Sequence, residues 1–312
     1  MRHTRQWILA LAMVIIVGGV ALIGLGIQDG RGGSGLLPSS LTIGGDTSSP
    51  RTATPRATSR GPSPEELAKA ERARRAKKLD EALKQVAAEA PEFSVAVLNR
   101  RTGERYSYRG SAAYDTASIV KVQVLACLLL RAQDEDRELT PGERALAEPM
   151  IRRSDNDATS KLFEQLGGRI AVTRCNERLG LTETRVSAAW GLTTTTVDDQ
   201  VTLLDALADT RSPLDADSRQ TAFLMMSTVI ESQQWGVPEV AERGEAATVK
   251  NGWDTRTADG GRWAVNSIGR VVSADDQTDV SIAVLSHGNP SMNAGIELVE
   301  RVATLTRQHL KY

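Results

Sequence analysis

Four side chains in three short motifs could do chemistry together. Ser118-Ile119-Val120-Lys121 places a hydroxyl and an amine three residues apart, Ser154-Asp155-Asn156 follows, and Lys250-Asn251-Gly252-Trp253 comes later. Serine and lysine at that spacing near a helix start lie on one face, one turn apart. The stretch from Val122 to Leu130 is almost wholly apolar, which predicts a buried helix. A lysine drawn into such a place loses solvation and its pKa falls, so its neutral amine can take the proton of a serine hydroxyl. The chemistry this predicts is acyl transfer through Ser118, with Lys121 as general base. Ser154 would pass a proton to a leaving amine and Asn156 would bond a substrate amide. Lys250 would stand beside Ser154 as a fixed charge that orients the hydroxyl and attracts a substrate carboxylate, and Gly252 would let substrate backbone lie close to the strand.

Each motif has an ordinary explanation when taken alone. A chain of this length should contain about one S-x-x-K by chance. Ser-Asp-Asn also suits a helix cap, and Asn-Gly also marks a turn. Their order and spacing are what single them out: 36 residues separate Ser118 from Ser154, and 96 separate Ser154 from Lys250.

Competing chemistries find little support. The histidines are His3, His287 and His309, with no HExxH, no CxxC and no Cys/His cluster, so no metal or other cofactor is expected. A Ser-His-Asp triad could draw only on His287, and no G-x-S-x-G elbow accompanies it. The net charge of −1 gives no reason to expect a nucleic-acid partner. Cys127 and Cys175 fall in helical, apolar stretches and read as buried free thiols, a single bridge being the alternative outside the cytoplasm.

The 312 residues divide by composition. Residues 1–6 form an expected cytoplasmic tail. Trp7 to Ile27 is 21 residues without a charge, preceded by Arg2 and Arg5, and reads as one transmembrane helix with the rest of the chain outside the cytoplasm. A cleaved signal peptide would secrete the protein instead, but no small-x-small site follows Ile27. No cysteine lies near enough for a lipid anchor. Residues 28–62, rich in Gly, Ser, Thr, Pro and Arg, read as a disordered linker. Residues 63–312 remain for one catalytic domain.

The domain should start at Ser63-Pro64-Glu65-Glu66, a capping box, with a helix to about Ala88 whose apolar stripe is Leu79, Leu83 and Val86. Strands are expected at Phe93–Asn99, Arg105–Tyr108, Ala247–Lys250, Trp263–Val272 and Val280–Ser286. A helical region fills Ala117 to about Glu231, and a last helix runs over Ser291–Leu310. Strands that open and close the domain around a helical middle argue an α+β fold with an antiparallel sheet.

The three motifs resemble S-x-x-K, S-D-N and K-T-G of the class A β-lactamases and penicillin-binding proteins. Phe93–Leu98 with Thr102-Gly103-Glu104, Gln165–Gly168 and Leu192–Thr196 are similar to further stretches of that superfamily. The resemblance implies a five-stranded antiparallel sheet flanked by helices, with an all-helical subdomain. It implies acylation of Ser118 with Lys121 as base, a proton relay through Ser154 and Lys250, and an oxyanion hole from the N–H groups of Ser118 and Trp253. Substrates would be β-lactams or D-Ala-type peptidoglycan peptides, bound by a monomer. A D,D-peptidase-like enzyme or a penicillin-binding sensor is the alternative. Two departures stand out. The run Arg185–Gly191 lacks the glutamate that positions the deacylating water, Glu183 being the nearest, so slow deacylation is expected. Asn251 also replaces the usual Thr or Ser, and the resemblance implies that its amide donates to the substrate carboxylate in place of that hydroxyl.

Overall fold

The computed structural model describes residues 61–312. The expected tail, transmembrane helix and nearly all of the linker lie outside the described residues. Among the described residues no helix is long and apolar enough to cross a membrane.

The domain opens with α1 (Pro64–Ala87), started by the reciprocal Ser63–Glu66 capping box. Its buried residues are the stripe Leu79, Leu83 and Val86, which pack against the last helix, α8 (Met292–Leu310). The α8 core face is Leu298, Val299, Val302 and Ala303, with Ile296 and Leu305 partly buried at its edges.

Between these helices in the chain come the strands of a five-stranded antiparallel sheet. The hairpin β1 (Phe93–Asn99) and β2 (Glu104–Tyr108) pairs with β7 (Asp279–Asn289), followed by β6 (Arg262–Ser273) and β5 (Glu245–Arg256), in the order β2-β1-β7-β6-β5. Strand β7 is buried along Val280–Ser286, as expected of a central strand covered on both faces. Strand β5 continues six residues past the expected end at Lys250. Gly252 and the charged Asp254 and Arg256 break the apolar pattern there, but register pairing with β6 carries on to Arg256↔Arg262.

The helical region expected from Ala117 onward is several elements. A 3₁₀ turn over Ala117–Ile119 leads into α2 (Val120–Asp134), and then come α3 (Pro141–Arg152), α4 (Asn156–Gln165) and α5 (Gly168–Arg178). After a loop follow α6 (Val197–Ala206) and α7 (Ala216–Ser227). Helix α2 is buried along almost its whole length and contacts α3, α4, α5 and α7. A second, two-stranded sheet pairs β3 (Tyr114–Asp115) with β4 (Thr194–Thr195). It fastens the segment before Ser118 to the loop that ends at Thr193.

Cys127 and Cys175 are not free thiols. They form a disulfide between α2 and α5, with Cα atoms 5.8 Å apart across a sequence separation of 48. Both half-cystines are buried, so burial alone could not distinguish the two states.

Candidate active site

Ser118 sits in the 3₁₀ turn that begins the central helix. Ala117, just before it, has φ 46°, a left-handed conformation that a non-glycine residue holds only when its surroundings impose it. The surroundings are visible. Asn266 on β6 donates to the carbonyls of Asp115 (2.9 Å) and Thr116 (3.1 Å), and the Thr116 N–H donates to Thr193 O at 2.8 Å. On the other side β5 crosses in close contact: a Cβ on Gly252 would lie 2.8 Å from Ser118 N, Ile119 N and Thr116 O. Gly252 is thus required by the approach of strand to turn.

Lys121 lies one turn along, fully buried. Its Nζ donates to Ser118 Oγ at 2.6 Å and to Asn156 Oδ1 at 2.8 Å. Burial pulls its pKa down to about 7, against an opposing pull from the Asp155 carboxylate. The amine is therefore available in neutral form at neutral pH and touches the hydroxyl it would deprotonate.

Ser154 ends the link between α3 and α4 with φ 60°. It does not cap α4. Asp155 is the N-cap and accepts from Ala158 N at 2.8 Å. This frees the Ser154 hydroxyl, which accepts from Lys250 Nζ at 3.1 Å. Lys250 is fully buried, and that burial, reinforced by the like charge of Lys121, holds it well below the usual lysine range. The structure thus brings Ser118, Lys121, Asn156, Ser154 and Lys250 into one continuous cluster, with Gly252 packed against it.

A cleft of about 340 Å³ opens over this cluster, lined by Ala117, Ser118, Asn156, the run from Ala189 to Leu192, Trp253 and Asp254. Trp253 is half-buried there, as a substrate-contacting residue would be. Asn251 is not in the cleft. It is fully buried, and its amide nitrogen donates to Gln233 O (2.8 Å) and Trp235 O (2.9 Å). Successive strand residues point to opposite sides, so Asn251 faces away from the side that Lys250 serves. The expected contact from Asn251 to substrate is therefore corrected.

The loop 185–193 supplies an indole where a carboxylate was sought. The Trp190 ring lies over Lys121 Nζ, 4.5 Å from its centroid, and its Nε1 donates to Ser160 Oγ on α4 at 3.1 Å. Glu183 points elsewhere, accepting from Thr196 Oγ1 at the start of α6. Among the residues lining the cleft the one carboxylate is Asp254, held by Arg256 at 2.6 Å. Arg256 also reaches Asp115 (2.6 Å) and Gly191 O (3.2 Å), tying β5, the turn before Ser118 and the loop together. Sequence reading missed Trp190, Gln233 and Arg256. Trp190 lies inside the run searched for a glutamate and was legible only as a large aromatic at that place. Gln233 and Arg256 stand outside any motif.

The domain is similar in fold to solved class A β-lactamases. One is the chromosome-encoded β-lactamase of Vibrio parahaemolyticus, 19% identical, covering 75% of this chain and 99% of that one with a TM-score of 0.64. Another is an ancestral (GNCA) class A β-lactamase, 22% identical, covering 74% and 99% with a TM-score of 0.63. In sequence, the chain is 31% identical over 181 residues to a Mycobacterium tuberculosis protein described as "Putative lipoprotein LppW". That match covers 55% of this chain and spans 57% of the relative's length. Residues 75–144 and 140–310 match the family model described as the Beta-lactamase enzyme family. With well over half of its length matched in this way, the chain belongs to the Beta-lactamase enzyme family.

Proposed function

We propose that this protein is an extracytoplasmic serine hydrolase that forms an acyl-enzyme on Ser118 with β-lactams or D-Ala-type peptides, and releases it slowly. The observation that carries the reading is the 2.6 Å contact between Ser118 Oγ and an Lys121 amine whose pKa burial lowers to about 7. In the neutral state the hydroxyl donates to the amine. Attack on the substrate carbonyl moves that proton to Lys121, and Oγ bonds the acyl carbon. Ser118 N and a β5 N–H at Trp253 stabilise the oxyanion, each donor contributing on the order of 3 kcal/mol in comparable acyl-transfer sites. The proton held by Lys121 is then relayed through Ser154, oriented by Lys250, to the leaving nitrogen, so that Ser154 keeps a hydroxyl and Lys121 returns to the neutral amine. The C–N bond then breaks and the ester remains on Ser118.

Hydrolysis of that ester needs a water activated on the loop side. Trp190 covers that side, and no loop carboxylate lines the cleft. General-base help is worth roughly 10²–10⁴-fold, so release should lag acylation by about that factor relative to an efficient β-lactamase. This favours a D,D-peptidase-like or penicillin-trapping enzyme over a fast β-lactamase. The uncharged run Trp7–Ile27 and the lipoprotein description of the mycobacterial relative support a domain held at the outer membrane face. The Cys127–Cys175 disulfide suits that oxidising compartment.

Fluorescent penicillin with intact-mass detection tests the reading. A one-to-one adduct on Ser118 is expected, absent in Ser118→Ala, with a burst of one product per enzyme before slow turnover. An adduct on another residue, or none after prolonged excess, overturns it. Fast steady hydrolysis without a burst overturns the slow-release part.

A further inference from the structure

Ser154 and Lys250 come from different parts of the fold, and a short strap joins them. The strap is the 3₁₀ turn Glu231–Gln233 with its flanks, between α7 and β5. Gln233 Nε2 donates to Arg153 O at 3.2 Å, and Ile230 N donates to Arg152 O at 3.1 Å. Asn251 Nδ2 then donates to Gln233 O at 2.8 Å. A continuous set of bonds thus runs from the residue before Ser154, through Gln233, to the residue after Lys250.

Both ends of this strap need holding. Ser154 has φ 60°, a conformation that relaxes away unless its neighbours fix it. The Lys250 amine donates to Asn251 O at 2.7 Å as well as to Ser154 Oγ, so its place follows the backbone of Asn251. Asn251 is fully buried and Gln233 nearly so. Apolar side chains of similar volume could fill both places but could not bond Arg153 O, Gln233 O or Trp235 O, so the amides tie the strap to the two ends of the site.

We propose that Gln233 and Asn251 are positioning residues that hold Ser154 and Lys250 in register for proton delivery to the leaving nitrogen. In this chain the middle position of the third motif serves that brace and makes no contact with substrate. The proposal rests on the relay role given above to Ser154 and Lys250.

The test is Gln233→Met, which keeps volume and removes the donor to Arg153 O, studied in the full-length chain beside wild type. Stopped-flow labelling gives the saturating acylation rate and the half-saturating concentration, for a fluorescent penicillin and for its methyl ester, which lacks the carboxylate. Expected is a fall of about three- to tenfold in the saturating rate for both reagents, the loss of roughly one buried hydrogen bond. Half-saturation should stay within about twofold, as follows for a group acting only in the transition state. An unchanged saturating rate overturns the proposal. So does a rise in half-saturation confined to the carboxylate-bearing reagent, which would make the strap a substrate contact. Amide hydrogen exchange at Ser154 and Asp155, measured without any reagent, reads the brace separately. Faster exchange in Gln233→Met supports it and unchanged exchange refutes it. If wild type takes no label, the acyl-transfer reading falls while exchange still decides the brace.

Discussion

If Lys121 is the base, acylation must follow its titration, and burial sets where that occurs. An ordinary lysine titrates at 10.5, whereas Lys121 is drawn down to about 7. At pH 7 about half of the Lys121 amines are then neutral, against roughly 0.03% for an unperturbed lysine, a gain of more than a thousandfold in competent base. The sign follows from the protonation state needed. The neutral amine is active, so the saturating acylation rate should rise about tenfold per pH unit below 7 and level off above it. Between pH 5 and 7 the rise should be about 50-fold, and between pH 7 and 9 only about twofold. Stopped-flow labelling across pH 5–9, with Ser118→Ala as blank, reads this directly. A flat profile, or a rate still climbing tenfold per unit at pH 9, would refute Lys121 as the base.

A second variant checks the cause of the inflection. The Asp155 carboxylate raises the Lys121 pKa, opposing burial. Asp155→Asn removes the charge but keeps a good cap for α4. Its profile should shift to lower pH, and a shift to higher pH would contradict the electrostatic account.

Three further outcomes are expected. Lys121 has a folded pKa of about 7 below its unfolded value near 10.5, so between those values the unfolded chain binds the extra proton and stability rises with pH. Lys121→Met should therefore be more stable than wild type at pH 7, by a margin that narrows toward pH 10 in urea unfolding, and a constant margin would count against it. Glu183→Gln should change the release rate of a penicillin adduct by less than about twofold, since Glu183 is engaged with Thr196 outside the cleft; a tenfold loss measured by adduct decay would restore it as a candidate base. Replacing Cys127 and Cys175 together by alanine opens a cross-link spanning 48 residues, worth about 4 kcal/mol in the chain-entropy account. Urea unfolding should show a loss of that order with Ser118 labelling retained, and no loss would mean that the bridge is idle.

The motifs and the apolar run after Lys121 made the cluster legible, because each of its residues lies in a local pattern. The α1 cap and the Leu79–Leu83–Val86 stripe were legible for the same reason. What sequence reading lost was tertiary. Strand β5 extends through Gly252, Asp254 and Arg256 because β6 pairs with it, and no alternation of side chains announces that. The β3–β4 pair joins dipeptides far apart in the chain. Cys127 and Cys175 meet only because α2 and α5 pack together. Asn251 looked like a substrate donor because a motif gives an order of residues but not the side of the strand on which each side chain lies.

On the proposed mechanism, the position of Trp190 bears on how one lysine would start the reaction yet release its product slowly. On the proposed mechanism the proton passes through Ser154 to the leaving nitrogen and Lys121 returns neutral, beside the Ser118 oxygen that it contacts at 2.6 Å in the free enzyme. Nothing in its basicity prevents it from activating water. Besides the missing loop carboxylate, Trp190 stands on the side from which that water would approach. The indole lies over the amine and is pinned through Nε1 to Ser160, while the loop behind it is tied down by Arg256 at Gly191 O. On that mechanism the ring that helps to bury Lys121 would also obstruct a hydrolytic water. On this reading fast acylation and slow release have a single structural origin, so variants that loosen the Trp190 loop should raise the release rate while moving the acylation inflection up toward that of a solvated lysine.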